Sequence, residues 1–289
     1  MRIGISAYDL AVDELVELGR AADEHGFASL WLGEHVVAPT AWASAHPTQD
    51  GTATIGSRRV VDPDTILVDP LVALAAVGAV TSRLELATGI YLLALRHPLH
   101  AARAALSVEQ VAPGRLRLGV GTGWLEEEFA ALGVPFGERV ARVEEAIGVL
   151  RRAWQGGRFG HAGRFYPFDE LQVTPVAVSI PIVLGGNTEP ALRRAVALAD
   201  GWFSSGTPTF DEARRLRDRL SELAAAAGRV APLATTWRMA GADPRQAEAY
   251  RSEGFDSLIV WADQVWSGPT RSARRSRLAR VAAELGLVA

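Results

Sequence analysis

Short apolar runs and amphipathic helical stretches take turns along this chain about eight times, and that alternation narrows the fold more than any other feature. The strand-like runs are Arg2–Ser6, Ala28–Leu32, Leu84–Ile90, Leu116–Val120, Ile182–Leu184, Gly201–Phe203, Leu233–Met239 and Ser257–Trp261. Between them apolar residues recur at helical spacing, first Val12, Leu15, Val16 and Leu18, later Val140, Val143, Ile147, Leu150 and Trp154. Further helices are predicted over Pro98–Gln110, Ala213–Ala226, Arg245–Arg251 and Thr270–Leu285. Eight β/α units are the count of a closed parallel barrel. A doubly wound sheet usually stops nearer six strands and carries a nucleotide fingerprint in its first turn; the first turn here, SAYDLAVD, has none. The fold class is therefore α/β, a TIM (β/α)8 barrel. Its 289 residues, 48% hydrophobic and 22% charged, suit one such domain spanning residues 1–289.

Two segments interrupt the repeat, one insertion after the second strand and one before the fifth. His35 to about Asp69 is a long polar connection containing WASAHPTQDGTATIGSRR. A loop of that length in a compact domain is a lid, a binding loop or disordered. Trp42 to Arg59 is expected to be a mobile cover over substrate, with Arg58 and Arg59 either meeting an anion or simply solvated. Gln155–Ser179, containing GRFGHAGRFYPFDELQVTP, reads as a small β excursion before the fifth strand.

Composition removes several chemistries. The chain has no cysteine, which excludes disulfides, cysteine–zinc sites and thiol nucleophiles. All 30 basic residues are arginine, so no lysine amine exists for Schiff-base or pyridoxal-phosphate chemistry. A net charge of −3 argues against a general nucleic-acid binder. No apolar run approaches the twenty residues of a membrane span, and MRIGISAYDL lacks the apolar run of a secretory signal. A cytoplasmic location is expected, with a small-molecule substrate and neither nucleic acid nor membrane as partner.

Candidate chemistry falls at predicted C-terminal strand ends, the face that carries barrel active sites. Glu34 and His35 end the second strand in SLWLGEHVV; the imidazole suits proton transfer or a hydrogen bond to a ring, or serves a structural role beside Glu34. Thr88, Gly89 and Ile90 end the third, where glycine permits close approach of a planar ligand or bends the strand. GVGTGW, with Thr122 and Gly123, follows the fourth. After the fifth, Gly185, Gly186 and Asn187 open the helix TEPALRRAVAL. A strand, a bare glycine turn and a helix N-terminus can hold a phosphate on backbone N–H groups. Four turns converging on one face favour the phosphate reading of Gly185–Asn187 over a plain tight turn. Glu126, Glu127 and Glu128 read as a solvated helix start favoured by the dipole. His97 and His100 lack a third ligand, and no metal is assigned.

In order and spacing, GFASLWLGEHVV, DPLVALAAVGAVTSRLELATGI, RHPLHAAR, GRLRLGVGTGW with EEFAALGVPFGER, and VLGGNTEPALRRAVALADGWF resemble the bacterial luciferase-like monooxygenase superfamily, particularly its F420 (deazaflavin)-dependent oxidoreductase branch. The resemblance runs to about Phe203 and thins beyond it. It implies a barrel binding a flavin-type cofactor at the strand C-termini, the ring against a bulge in the third strand. That bulge often contains a non-prolyl cis peptide, which would fall at Gly89–Ile90. By the same resemblance Gly185–Gly186 is the phosphate cradle, Thr122–Gly123 a second backbone contact, His35 a histidine facing the ring and Glu34 the acidic position before it. The implied activity is hydride transfer between coenzyme F420 and a small organic substrate. The rivals are an FMN-dependent monooxygenase using reduced flavin and oxygen, and a non-catalytic flavin-binding protein. A homodimer is expected. Trp124 stands where sugar-phosphate dehydrogenases of the branch carry glutamate, and Ala112–Pro113 replace the usual serine–glycine.

Overall fold

Eight parallel strands close into a barrel in the computed structural model, which describes residues 1–46, 54–55, 58–59 and 61–287. The strands are β1 (Arg2–Ala7), β2 (Ser29–Leu32), β3 (Glu85–Thr88), β4 (Leu116–Val120), β5 (Ile182–Gly185), β6 (Gly201–Phe203), β7 (Ala234–Arg238) and β8 (Ser257–Trp261). They pair in chain order, and β8 closes on β1 from Arg2↔Ser257 to Ser6↔Trp261. The principal helices are α1 (Val12–Glu24), α2 (Pro70–Gly78), α3 (Pro98–Val111), α4 (Arg139–Trp154), α5 (Glu189–Leu198), α6 (Phe210–Ala226), α7 (Pro244–Ser252) and α8 (Arg271–Glu284). Parallel connections need such crossovers, and helices covering the sheet explain why strands such as β2 are buried at every residue.

Local chemistry sets the helix starts. Asp69 caps α2 by accepting from the Leu71 and Val72 N–H groups, with Pro70 pre-set in the first turn. Thr209 and Glu212 form a reciprocal capping box on α6. The apolar interior has two parts. Most of it lies between strands and helices; a smaller cluster inside the barrel joins Trp31, Ala87, Val183, Phe203 and Ile259. There Trp31 and Phe203 stack at 4.9 Å and plug the barrel below its mouth.

Both insertions are where the sequence put them. Thr54–Ile55 and Arg58–Arg59 form a two-residue antiparallel pair after β2, and Arg158–His161 with Phe168–Gln172 form the hairpin before β5. The cover expected over Trp42 to Arg59, including the Arg58 and Arg59 side chains, falls largely outside the described residues. The third strand is shorter than predicted because the chain leaves the ladder after Thr88, and the Gly89–Ile90 peptide is cis. Among the described residues, no helix is long and apolar enough to cross a membrane.

Candidate active site

The C-terminal strand ends surround one open pocket of about 980 Å³. Glu34, His35, Gly89, Ile90, Thr122, Gly123, Gly185, Gly186 and Asn187 all line it. Thr88 does not. Its side chain is fully buried and its hydroxyl donates to the Gly119 carbonyl at 2.7 Å, tying β3 to β4. Of the residues expected to bind cofactor, Thr88 is the one whose side chain is engaged with a neighbouring strand and not with the pocket.

His35 is 7% exposed, and its Nδ1 lies 3.2 Å from Glu128 Oε2. Glu128 Oε1 accepts from the Val36 and Val37 N–H groups. This corrects the reading of Glu126–Glu128 as a solvated run, because Glu128 is only 1% exposed. Its neighbour Glu127 is also engaged, accepting from Ala43 N–H at 2.8 Å and from Ser44 Oγ at 2.7 Å. A carboxylate only accepts, so Nδ1 must carry a proton and Nε2 is the nitrogen free to serve the pocket. Rings surround this imidazole: Tyr8 at 6.2 Å and Trp124 at 5.6 Å, both edge-on, with Trp42 and His46 packing on Trp124. The Tyr8 hydroxyl is buried without a partner among the described residues, and burial first, then Glu128, Asp9 and Asp62, pushes its pKa up.

Glu34 is engaged differently. Arg96 contacts both carboxylate oxygens and the Leu92 N–H donates at 2.6 Å. Burial pushes the carboxyl pKa up against the opposing pull of Arg96 and that N–H. With both oxygens occupied, Glu34 fastens the turn after β3 to the end of β2, which positions Gly89 and Ile90.

Across the mouth, two turns face each other. Gly186 adopts φ +116°, where a Cβ would be strained and would meet Ala191 at 2.8 Å. Asn187 exchanges side-chain hydrogen bonds with the Ser205 N–H and carbonyl, both at 2.9 Å, locking the β5 and β6 turns together. The N–H groups of Gly186, Asn187 and Thr188 make no hydrogen bond among the described residues, and they precede the ten-residue helix α5. Unpaired N–H groups ahead of a helix N-terminus have the chemistry to hold an anion. Glu189 opens the same helix, but hydrogen bonds from Arg219 and the charges of Arg219 and Arg193 hold its pKa down to about 2 and offset its charge. Gly123, at φ +76°, turns the chain where a Cβ would strike the Phe129 ring. Sequence reasoning missed Tyr8, Glu128, Ser205–Thr209 and Arg238 as pocket or supporting residues; only the SSGTPT turn carried a usable glycine–proline signal.

Fold and pocket together describe a TIM-barrel oxidoreductase with a cofactor-sized site at the strand C-termini. The chain belongs to the luciferase-like monooxygenase family, whose model matches residues 2–285. An uncharacterized protein of Mycobacterium tuberculosis is 35% identical over 219 residues, 75% of this chain and 73% of that one. The F420-dependent hydroxymycolic acid dehydrogenase of the same species is 30% identical over 272 residues, 91% of this chain and 65% of that protein. The crystal structure of monooxygenase RslO1 from Streptomyces bottropensis shares the fold, with TM-score 0.76, 20% identity and coverage of 99% and 98%.

Proposed function

We propose that this oxidoreductase uses coenzyme F420 to exchange a hydride with a small organic substrate. The observation that carries the reading is the unpaired N–H cradle at Gly186–Thr188, in the same pocket as the His35–Glu128 pair. The similarity to an F420-dependent dehydrogenase supports the choice of cofactor. In this reading the cradle holds the phosphate of the cofactor tail, and Gly89 and Ile90 support the ring. Bound there, the deazaflavin supplies the carbon that gives or takes hydride. Glu128 fixes the His35 tautomer, so Nε2 can take or return a proton at the substrate. Phe203, stacked on Trp31, and the rings around His35 give the pocket apolar walls. The reading includes a homodimer in the cytoplasm, with no nucleic-acid or membrane partner.

Titration of the purified protein with F420 and with FMN, followed by fluorescence, tests it. F420 binding at least about tenfold tighter is expected. Tighter FMN binding would replace this reading with a reduced-flavin monooxygenase, and binding of neither would end both.

A further inference from the structure

One pocket residue has no place in the scheme above. Arg238 ends β7, is 4% exposed, and lines the pocket with Ser6, Phe203 and Trp261. Two half-buried arginines elsewhere on the barrel are matched by carboxylates, Arg96 by Glu34 and Arg117 by Glu85. Arg238 has no carboxylate partner among the described residues, and burial alone pulls its pKa down to about 9, so it stays charged at neutral pH. Its Nη1 donates to the Gly206 carbonyl and its Nη2 to Ser6 Oγ, both at 3.1 Å. A guanidinium has five N–H donors; among the described residues two are used, and the three left include a buried Nε–H with no acceptor there. Nearby stand the Trp261 ring, 4.0 Å from the guanidinium carbon, and the Phe203 ring at 5.1 Å. Rings soften the cost of a buried cation but do not cancel its charge.

We propose that Arg238 recognises a carboxylate on the substrate, so that the pocket between β1, β6, β7 and β8 takes a small organic acid with an apolar body. This rests on the proposed function for its setting and adds the substrate class. Three features select the ligand. A lone cation is neutralised by a monoanion, whereas a phosphate dianion would leave excess negative charge in an aromatic recess. The planar fork matches a planar carboxylate. The walls beside it, Trp261 and Phe203, suit a hydrocarbon or aromatic body. The cofactor phosphate has its own donors at Gly186–Thr188, on the neighbouring β5 side of the mouth. An arginine left unpaired in the folded chain is also the expected signature of a binding group kept at a cost in stability.

The probes are benzoate and its uncharged isostere benzamide, titrated calorimetrically into the purified protein with saturating inorganic phosphate present to occupy the cradle. Benzoate should bind at least about tenfold tighter than benzamide, and the preference should vanish in Arg238→Gln and Arg238→Met. The same variants should bind F420 within about threefold of wild type, and Arg238→Met should melt at or above the wild-type temperature because it removes an unpaired buried charge. Equal binding of the two probes to wild type, or a preference that survives in either variant, overturns the proposal. So does competition of phosphate with benzoate, or a tenfold loss of F420 affinity in the variants, since either assigns Arg238 to the cofactor tail. Should Arg238→Gln fail to fold, the wild-type probe comparison and the phosphate competition still decide. A benzoate preference in a protein that binds no F420 would refute the cofactor reading while supporting the arginine's role.

Discussion

Replacing Glu128 by Gln should reverse the proton on His35, and the structure says why. Glu128 Oε1 already accepts from two backbone donors, Val36 N–H and Val37 N–H, the latter at 3.4 Å. A glutamine must keep its oxygen there, because turning the amide round would set NH2 against two N–H groups. Its NH2 then faces His35 Nδ1, 3.2 Å away in the native pair. Nδ1 can meet an N–H only as an acceptor, so the proton moves to Nε2 and the pocket meets a donor in place of an acceptor. Exchanging charge-assisted hydrogen bonds for neutral ones at a site 1% exposed should cost about 1–2 kcal/mol, a few degrees of melting temperature. If His35 is the proton-transfer group, turnover falls roughly 10²–10⁴-fold. The assay is the 15N chemical shift pattern of the His35 imidazole, which needs no substrate, paired with thermal unfolding. An Nδ1–H signal persisting in Glu128→Gln, with unchanged stability, would refute the reasoning and leave His35 a packing residue.

Other substitutions separate binding from folding. Gly185→Ala places a methyl 3.4 Å from Ile90 inside the mouth without a backbone clash, so F420 affinity should fall about tenfold or more while the melting temperature holds; unchanged affinity would move the cradle elsewhere. In Gly119→Ala the methyl would lie 1.9 Å from the Thr88 carbonyl oxygen, so the β3–β4 pair must part; expression as soluble protein of wild-type stability would contradict that geometry. Asp23 is raised by burial but lowered further by N–H donors from Ser82, Arg83 and Leu84, leaving its pKa below the usual 3.8. A depressed carboxyl stabilises the fold above its unfolded pKa and loses that contribution as pH falls through the folded value. Asp23→Asn should therefore cost about 1 kcal/mol near neutral pH, a partly exposed site, and the gap from wild type should close below about pH 4 in urea unfolding. A gap independent of pH would sink the assignment.

The eight-unit repeat was legible because a barrel strand buried on both faces reads as an apolar run, and its helices repeat at 3.6 residues. The turn glycines at 123 and 186 were legible for a related reason: a backbone at positive φ with a neighbour under 3 Å from any Cβ demands glycine, and that demand is written at single positions. Other assignments needed contacts across long separations. Three adjacent glutamates look alike in sequence, yet Glu127 reaches Ala43 and Ser44 while Glu128 lies buried against His35, 93 residues away. That the Thr88 side chain bonds the Gly119 carbonyl and stays out of the mouth depends on strand register, which periodicity does not report. Arg238 was invisible among 30 arginines, since what distinguishes it is burial with no carboxylate partner among the described residues. Residue type and spacing determined the barrel, its insertions and the bare turns of its rim. Which polar groups are paired, and which are left to meet a ligand, was decided only when closure of the barrel brought distant strand ends together.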